Sequence, residues 1–95
     1  MREMKFMSTW SLIHGSKRSA AEQFLASGGG EPEGVKLLGR WHNVDCTGGF
    51  SLYESNDPAA LHLGASRWVD LVELNTEVVI EDAQAGPNLA ATFGK

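Results

Sequence analysis

Two strand-like runs around one short polar turn constrain this chain more than any other feature. Residues 35–44 (Val-Lys-Leu-Leu-Gly-Arg-Trp-His-Asn-Val) and 49–55 (Gly-Phe-Ser-Leu-Tyr-Glu-Ser) flank a turn at Asp45-Cys-Thr-Gly48. Alternation with period two marks a strand whose faces differ in chemistry. Two such runs joined by a Gly-containing turn form a β-hairpin. An isolated hairpin is marginal in water, so more strands, or helices on one face, must complete the fold.

The rest of the chain supplies them. Residues 4–13 are rich in strand formers, with Phe6, Ser8, Trp10 and Leu12 on one face and Met7, Thr9, Ser11 and Ile13 on the other. Ser16 is a candidate N-cap, and Ala20, Ala21, Phe24 and Leu25 recur at helical spacing until Gly28-Gly-Gly30 ends the helix. Asp57-Pro58 is a second helix start, followed by Leu61, Gly64, Ala65 and Trp68 at i, i+3, i+4 and i+7. Residues 69–74 read as the frayed end of that helix, and residues 76–81 as the last strand. From Asp82 the chain turns small and polar and predicts a loose tail with one helical turn near Leu89. The order β-α-β-β-α-β predicts an α+β, ferredoxin-like fold: a four-stranded antiparallel sheet with two helices on one face. One domain spans residues 1–82 and a C-terminal tail spans 83–95.

Pairing Val44 with Gly49 sets a register. Trp41 then lies opposite Leu52, Asn43 opposite Phe50 and Gly39 opposite Glu54, while Arg40 lies opposite Tyr53 and His42 opposite Ser51 on the other side. The first set, with Val35 and Leu37, is the more apolar and is predicted to face the helices. The second mixes Leu38, Val44 and Tyr53 with Lys36, Arg40 and His42, and gains Met7 and Val79 from neighbouring strands. It is too apolar for open water, which predicts a homodimer packed sheet face to sheet face.

Net charge is −4 and the only adjacent basic pair is Lys17-Arg18, so nucleic acid is not an expected partner. No apolar run approaches the roughly 18–20 residues of a membrane span. The single cysteine, Cys46, allows no internal disulfide and fits a reducing compartment. With no signal-peptide pattern at residues 1–7, the expected location is cytoplasmic.

Candidate chemistry rests on a few residues. Glu54, placed on the apolar side beside the space over Gly39, is a candidate general base; the competing reading is an ion-paired strand-end carboxylate. His42, Arg40 and Tyr53 form a second group: Arg40 suits a carboxylate and His42 exchanges protons near neutral pH, while the competing reading makes them dimer contacts. Trp10, Trp41 and Trp68 suit a flat apolar or aromatic ligand, or fill the core. The three histidines, His14, His42 and His62, show no metal-ligand spacing, and no metal or other cofactor is predicted.

The segments Lys5-Phe-Met-Ser-Thr-Trp10, Pro32 through His42 with its Gly-Arg-Trp-His core, Gly49-Phe-Ser-Leu-Tyr-Glu54 and Trp68…Asp70-Leu71 resemble a family of small uncharacterised proteins, the domain of unknown function 3303, within the dimeric α+β barrel superfamily. The resemblance spans most of residues 4–82 and leaves out Ser27–Gly30 and the tail. It implies the ferredoxin-like fold and a dimer, but no established activity. Superfamily relatives include cofactor-free monooxygenases, haem-degrading enzymes and muconolactone isomerase-like enzymes, with pockets between sheet and helices. A helix histidine ligates haem iron in some of them, which makes His62 a ligand-binding candidate by analogy.

Three readings follow. The first is a dimeric protein that binds a small apolar or aromatic metabolite through Trp10, Arg40, Trp41, Tyr53, His62 and Trp68. The second is a cofactor-independent oxygenase or isomerase with Glu54 or His42 as proton acceptor and Arg40 or Tyr53 steadying an oxyanion. The third is a structural module whose partner is itself.

Overall fold

The computed structural model describes residues 3–94; the outermost ends of the predicted domain and tail, residues 1–2 and 95, lie outside the described residues. The elements are β1 (Met4–Leu12), α1 (Lys17–Ser27), β2 (Lys36–His42), β3 (Gly48–Ser55), α2 (Pro58–Ser66), β4 (Val72–Val79) and α3 (Asp82–Phe93). The strands form one sheet in the order β2-β3-β1-β4 with every neighbouring pair antiparallel. Each helical crossover therefore skips one strand, which gives the ferredoxin-like α+β arrangement expected. No described helix is long and apolar enough to cross a membrane.

Local chemistry explains the element ends. Asp57 caps α2, its carboxylate accepting from the amides of Ala59 (3.1 Å) and Ala60 (3.3 Å) ahead of Pro58. Ser16 stands at the start of α1 but does not cap it with its side chain. Its hydroxyl lies instead 2.6 Å from the Ile13 carbonyl and 2.7 Å from the Leu71 carbonyl, tying the start of α1 to the turn before β4.

Three expectations are corrected. The hairpin closes at Asn43–Gly48, whose backbone bond is 2.8 Å, so Trp41 pairs with Phe50, His42 with Gly49 and Arg40 with Ser51, not with the partners first assigned. The turn is drawn in by Asp45, whose Oδ1 accepts from the Thr47 amide (3.1 Å) and hydroxyl (2.6 Å). Those bonds hold the Asp45 carboxyl below its ordinary pKa, the Thr47 hydroxyl contributing most. A bulge at Leu38 then slips the pairing again, so Leu37 meets Tyr53 and Lys36 meets Glu54. Secondly, β4 begins at Val72, because the amides of Leu71 and Val72 both turn back onto the Trp68 carbonyl and close the turn after α2. Thirdly, the tail is a twelve-residue helix, α3, despite Gly86-Pro87. A capping box between Glu81 and Gln84 starts it, and Ala83, Ala85, Ala90 and Ala91 favour its continuation.

The core is thin. Its buried apolar side chains are Phe6, Ala20, Ala60 and Val72, and the largest fully buried side chains are Ser51 and Ser55. Extensive close approach between elements is strand to strand. Helices α1 and α2 bury only Ala20 and Ala60, and α3 buries none of its residues. The radius of gyration, 15.7 Å, accordingly exceeds the roughly 13 Å of a compact domain of this length.

Candidate functional site

The register of β1 decides which side of the sheet the helices cover. Phe6 and Ser8 are buried, and they pair with Tyr53 and Ser51, while Trp10 pairs with Gly49. Odd-numbered residues of β3 therefore share the helix side with even-numbered residues of β1. Arg40 pairs with Ser51 and His42 with Gly49, so both join that side. The predicted assignment is inverted: Arg40, His42, Ser51 and Tyr53 lie beneath the helices, and Trp41, Phe50, Leu52 and Glu54 lie on the uncovered face with Met7 and Val79. Apolarity was the wrong guide, because the covered face does not enclose a dry core.

It lines an open-sided cavity of about 1080 Å³. The floor is Ser8, Trp10, Leu12, Arg40, His42, Ser51, Tyr53, Val72, Leu74 and Thr76; the roof is Ala20, Ala21, Phe24, Leu61, His62, Ala65 and Trp68; the Gly29–Val35 loop closes one side. Most of this lining is apolar; on the sheet, its polar groups are Ser8, Ser51 and Tyr53 on the central strands and Arg40, His42 and Thr76 on the edge strands. Ser8 and Thr76 share a hydrogen bond of 2.9 Å across β1 and β4.

Five of the six predicted ligand-binding residues, Trp10, Arg40, Tyr53, His62 and Trp68, line this space together with His42. His42 stands edge-on between Trp10 (5.5 Å between ring centroids) and Phe24 (5.3 Å). Trp68 donates from Nε1 to the Gly29 carbonyl at 2.9 Å, which fixes its ring and ties down the loop. Trp41 is not among them: it lies on the uncovered face, half-exposed, its ring over Gly39 and stacked on Phe50 at 5.1 Å. A Cβ at Gly39 would come within 2.4 Å of that ring, so glycine is what lets the indole lie flat there.

Glu54 is likewise outside the cavity. It sits on the uncovered face, across from Lys5 and Lys36, with Lys5 Nζ 3.7 Å from its carboxylate. The general-base setting predicted for it is corrected: Glu54 is an ion-paired strand carboxylate. A hydrogen bond to Glu54 is also the main cause that raises the pKa of Glu3, with burial and the charge of Glu54 acting in the same sense. Among the described residues, no cluster of three or more His, Cys, Asp or Glu could hold a metal ion.

Arg40 is the cationic centre of the cavity. Its Nε donates to Ser51 Oγ (3.3 Å), and its Nη2 donates to the Tyr53 hydroxyl (3.4 Å) and to Glu31 Oε1. Its guanidinium carbon lies 5.6 Å from the centre of the Phe24 ring. Burial is the largest single influence on this group and pulls its pKa down, but the bonds and charges of Tyr53 and Glu31 together outweigh it and leave the pKa raised. Two members of this constellation were missed in the sequence, Glu31 and Gly29. A Cβ at Gly29 would fall within 1.9 Å of Arg40 Nη2, so the guanidinium lies directly against loop backbone. The signal was the glycine run before Glu31, which reads first as a helix stop.

The model of a family described as a domain of unknown function (DUF3303) matches residues 4–93. The match includes α3, which the sequence resemblance had left out. Two solved structures share the fold. An uncharacterised NIPSNAP-like domain protein from Burkholderia xenovorans is 13% identical, with a TM-score of 0.55 over 84% of this chain and 85% of that one. PA3566 from Pseudomonas aeruginosa is 14% identical, with a TM-score of 0.55 over 85% of this chain and 95% of that one. No curated protein matches the chain.

Proposed function

The chain belongs to the DUF3303 family and has an α+β barrel-type fold, and from that premise we propose that it binds a small, flat, apolar or aromatic molecule between sheet and helices. The observation that carries this reading is the cavity of about 1080 Å³ among Trp10, Phe24, Leu61, Trp68 and Leu74. Binding pockets commonly enclose about 300–1,000 Å³ with mostly apolar walls and a few convergent polar groups. Arg40, His42 and Tyr53 are those groups here. Collapse of the helices onto the sheet would be the alternative use of so many apolar side chains, and the thin core argues against it.

The reading includes a homodimer. The uncovered face carries Met7, Trp41, Phe50, Leu52 and Val79, with Trp41 50% and Phe50 39% exposed. A second copy packed sheet to sheet would cover them. A second functional reading, a cofactor-independent oxygenase or isomerase, is supported by His42, which stands in the cavity within the same constellation as Arg40 and Tyr53. In that reading His42 accepts the proton, and Arg40 and Tyr53 face the developing oxyanion.

The test is thermal unfolding with a panel of planar apolar compounds, on the wild type and on Ala65→Phe, which fills the roof of the cavity. Stabilisation of about 2.7 kcal/mol is expected at a ligand concentration near 100 Kd in the wild type and none in Ala65→Phe. Equal shifts in both proteins, or none in either, would remove the ligand reading and leave a self-associating structural module. Turnover of a bound compound that is lost in His42→Gln would establish the enzymatic reading.

A further inference from the structure

Arg40 is held in place from three directions yet keeps part of its binding capacity unused. Ser51 and Tyr53 fix it from the sheet, the Phe24 ring lies beneath its guanidinium carbon, and the backbone at Gly29 presses from the loop. A guanidinium has five N–H donors in a rigid fork. Nε and Nη2 are engaged, while Nη1 makes no hydrogen bond among the described residues. No buried side-chain nitrogen or oxygen among them lacks a partner, so Nη1 is not fully buried, and Arg40 lines the cavity.

The counter-charge is Glu31, and it engages the fork through one oxygen only, Oε1 on Nη2. The loop that carries it is anchored by other means: Trp68 Nε1 donates to the Gly29 carbonyl (2.9 Å) and Arg67 Nη1 to the Gly30 carbonyl (2.7 Å). The Glu31 side chain, already 21% exposed, can swing to solvent while the loop backbone stays where it is.

Resting on the ligand-binding reading above, we infer that the molecule this cavity takes carries a carboxylate, and that Glu31 occupies its place at Arg40 until it arrives. An incoming carboxylate that spans Nη1 and Nη2 makes two parallel charge-assisted bonds where Glu31 makes one. The apolar body of the ligand then lies along Phe24 and Trp10. The fork of Arg40 takes one carboxylate, and the exposed Lys17 and Arg18 add positive charge to the same lining. Glu31 keeps the cation matched in the empty protein, which a half-buried charge requires, and it competes with the ligand, which makes it a positioning residue for selectivity.

The test is calorimetric titration with benzoate, 2-naphthoate and anthracene-2-carboxylate, each beside its neutral primary amide, on the wild type, Glu31→Gln, Arg40→Gln and Arg40→Lys. The best carboxylate is expected to bind the wild type more tightly than its amide. Glu31→Gln should tighten the carboxylate about tenfold, because a charged competitor becomes a neutral one, and leave the amide unchanged. Arg40→Gln should abolish the preference. Arg40→Lys, which keeps the charge without the fork, should retain only part of it and guards against misreading a folding defect. Equal binding of carboxylates and amides, unmoved by Glu31→Gln, would overturn the inference and leave the cavity reading intact. No binding of either series, while other planar compounds bind, would overturn the inference alone; no binding by any planar compound removes both.

Discussion

Beneath the helices the sheet presents Ser8, Arg40, His42, Ser51 and Tyr53; on its bare side it presents Met7, Trp41, Phe50, Leu52 and Val79. In a two-layer fold the greasier face is ordinarily the one that is covered. Here Arg40, Ser51 and Tyr53 lie under the helices beside Trp10 and Leu74, while Trp41 and Phe50 stand outside. Each half of the inversion has its own consequence. A roofed polar face needs something to match Arg40, and a bare aromatic face needs something to exclude water. Glu31 meets the first condition in the empty protein; in the reading proposed above, a ligand carboxylate would take its place and another copy of the sheet would meet the second.

The largest effect should come from charging the bare face. Trp41→Arg places a cation where a partner sheet would pack, and a central aromatic anchor contributes about 2 kcal/mol or more to association, about thirtyfold in Kd. Sedimentation equilibrium should show the dimer weakened by at least that factor with an unchanged circular dichroism spectrum. A monomeric wild type, or an unmoved dimer in the variant, would remove the bare face from the account.

On the roofed side, Ser55 is the next test. It is 1% exposed, and its hydroxyl lies 2.7 Å from the Gly34 carbonyl while accepting from the Asp57 amide at 3.0 Å. Ser55→Ala leaves both backbone groups without that partner and should cost about 1–3 kcal/mol in urea unfolding. Asp57→Ala removes the cap of the roof helix α2 and should cost about 1 kcal/mol, with a matching loss of affinity for any cavity ligand. A stability loss without that affinity loss would show that α2 does not form the roof of the binding site.

The smallest effect belongs to the bare face and is a pH dependence. Lys5 Nζ lies 2.6 Å from Glu81, which caps α3. The Lys5 hydrogen bond, and then its charge, hold Glu81 below its ordinary pKa of 4.5. A depressed carboxylate contributes stability that is present above its unfolded pKa and is lost as pH falls through its folded one. Unfolding midpoints should therefore drop on acidification from about pH 5 downward, and Lys5→Met should flatten that part of the profile. The same slope in both proteins would show that the pair contributes nothing.

Much of this molecule was legible in its sequence, and the failures share a cause. The Asp57-Pro58 start of α2, the alternation in β1 and the βαββαβ order are local signals and hold. The alternation Val72-Glu-Leu-Asn-Thr-Glu-Val was present as well, but the apolar stripe running to Trp68 drew the helix too far. In α3, a capping box and alanines outweigh a breaker pair that local rules read as a stop. The faces were misassigned because alternation sorts a strand into two sets without saying which set is covered. That is decided by β1 pairing with β3, a contact between segments far apart in the chain, from Met4 with Ser55 to Ser11 with Gly48. Glu54 followed its face, and its general-base setting went with it. Alternation puts Arg40, His42 and Tyr53 on one face even though the register assigned to them is shifted, while Glu31 reaches Arg40 through a loop whose path no local pattern encodes.

The tryptophans offer the most direct measurement, because Trp10 and Trp41 report on opposite faces. With Trp10→Phe/Trp68→Phe leaving Trp41, and Trp41→Phe/Trp68→Phe leaving Trp10, fluorescence is read against protein dilution and against a saturating cavity ligand. Trp41 emission should shift to the red on dilution and ignore the ligand; Trp10 emission should respond to the ligand and ignore dilution. A Trp41 that responds to ligand, or a Trp10 that responds to dilution, would contradict the division of labour between the two faces.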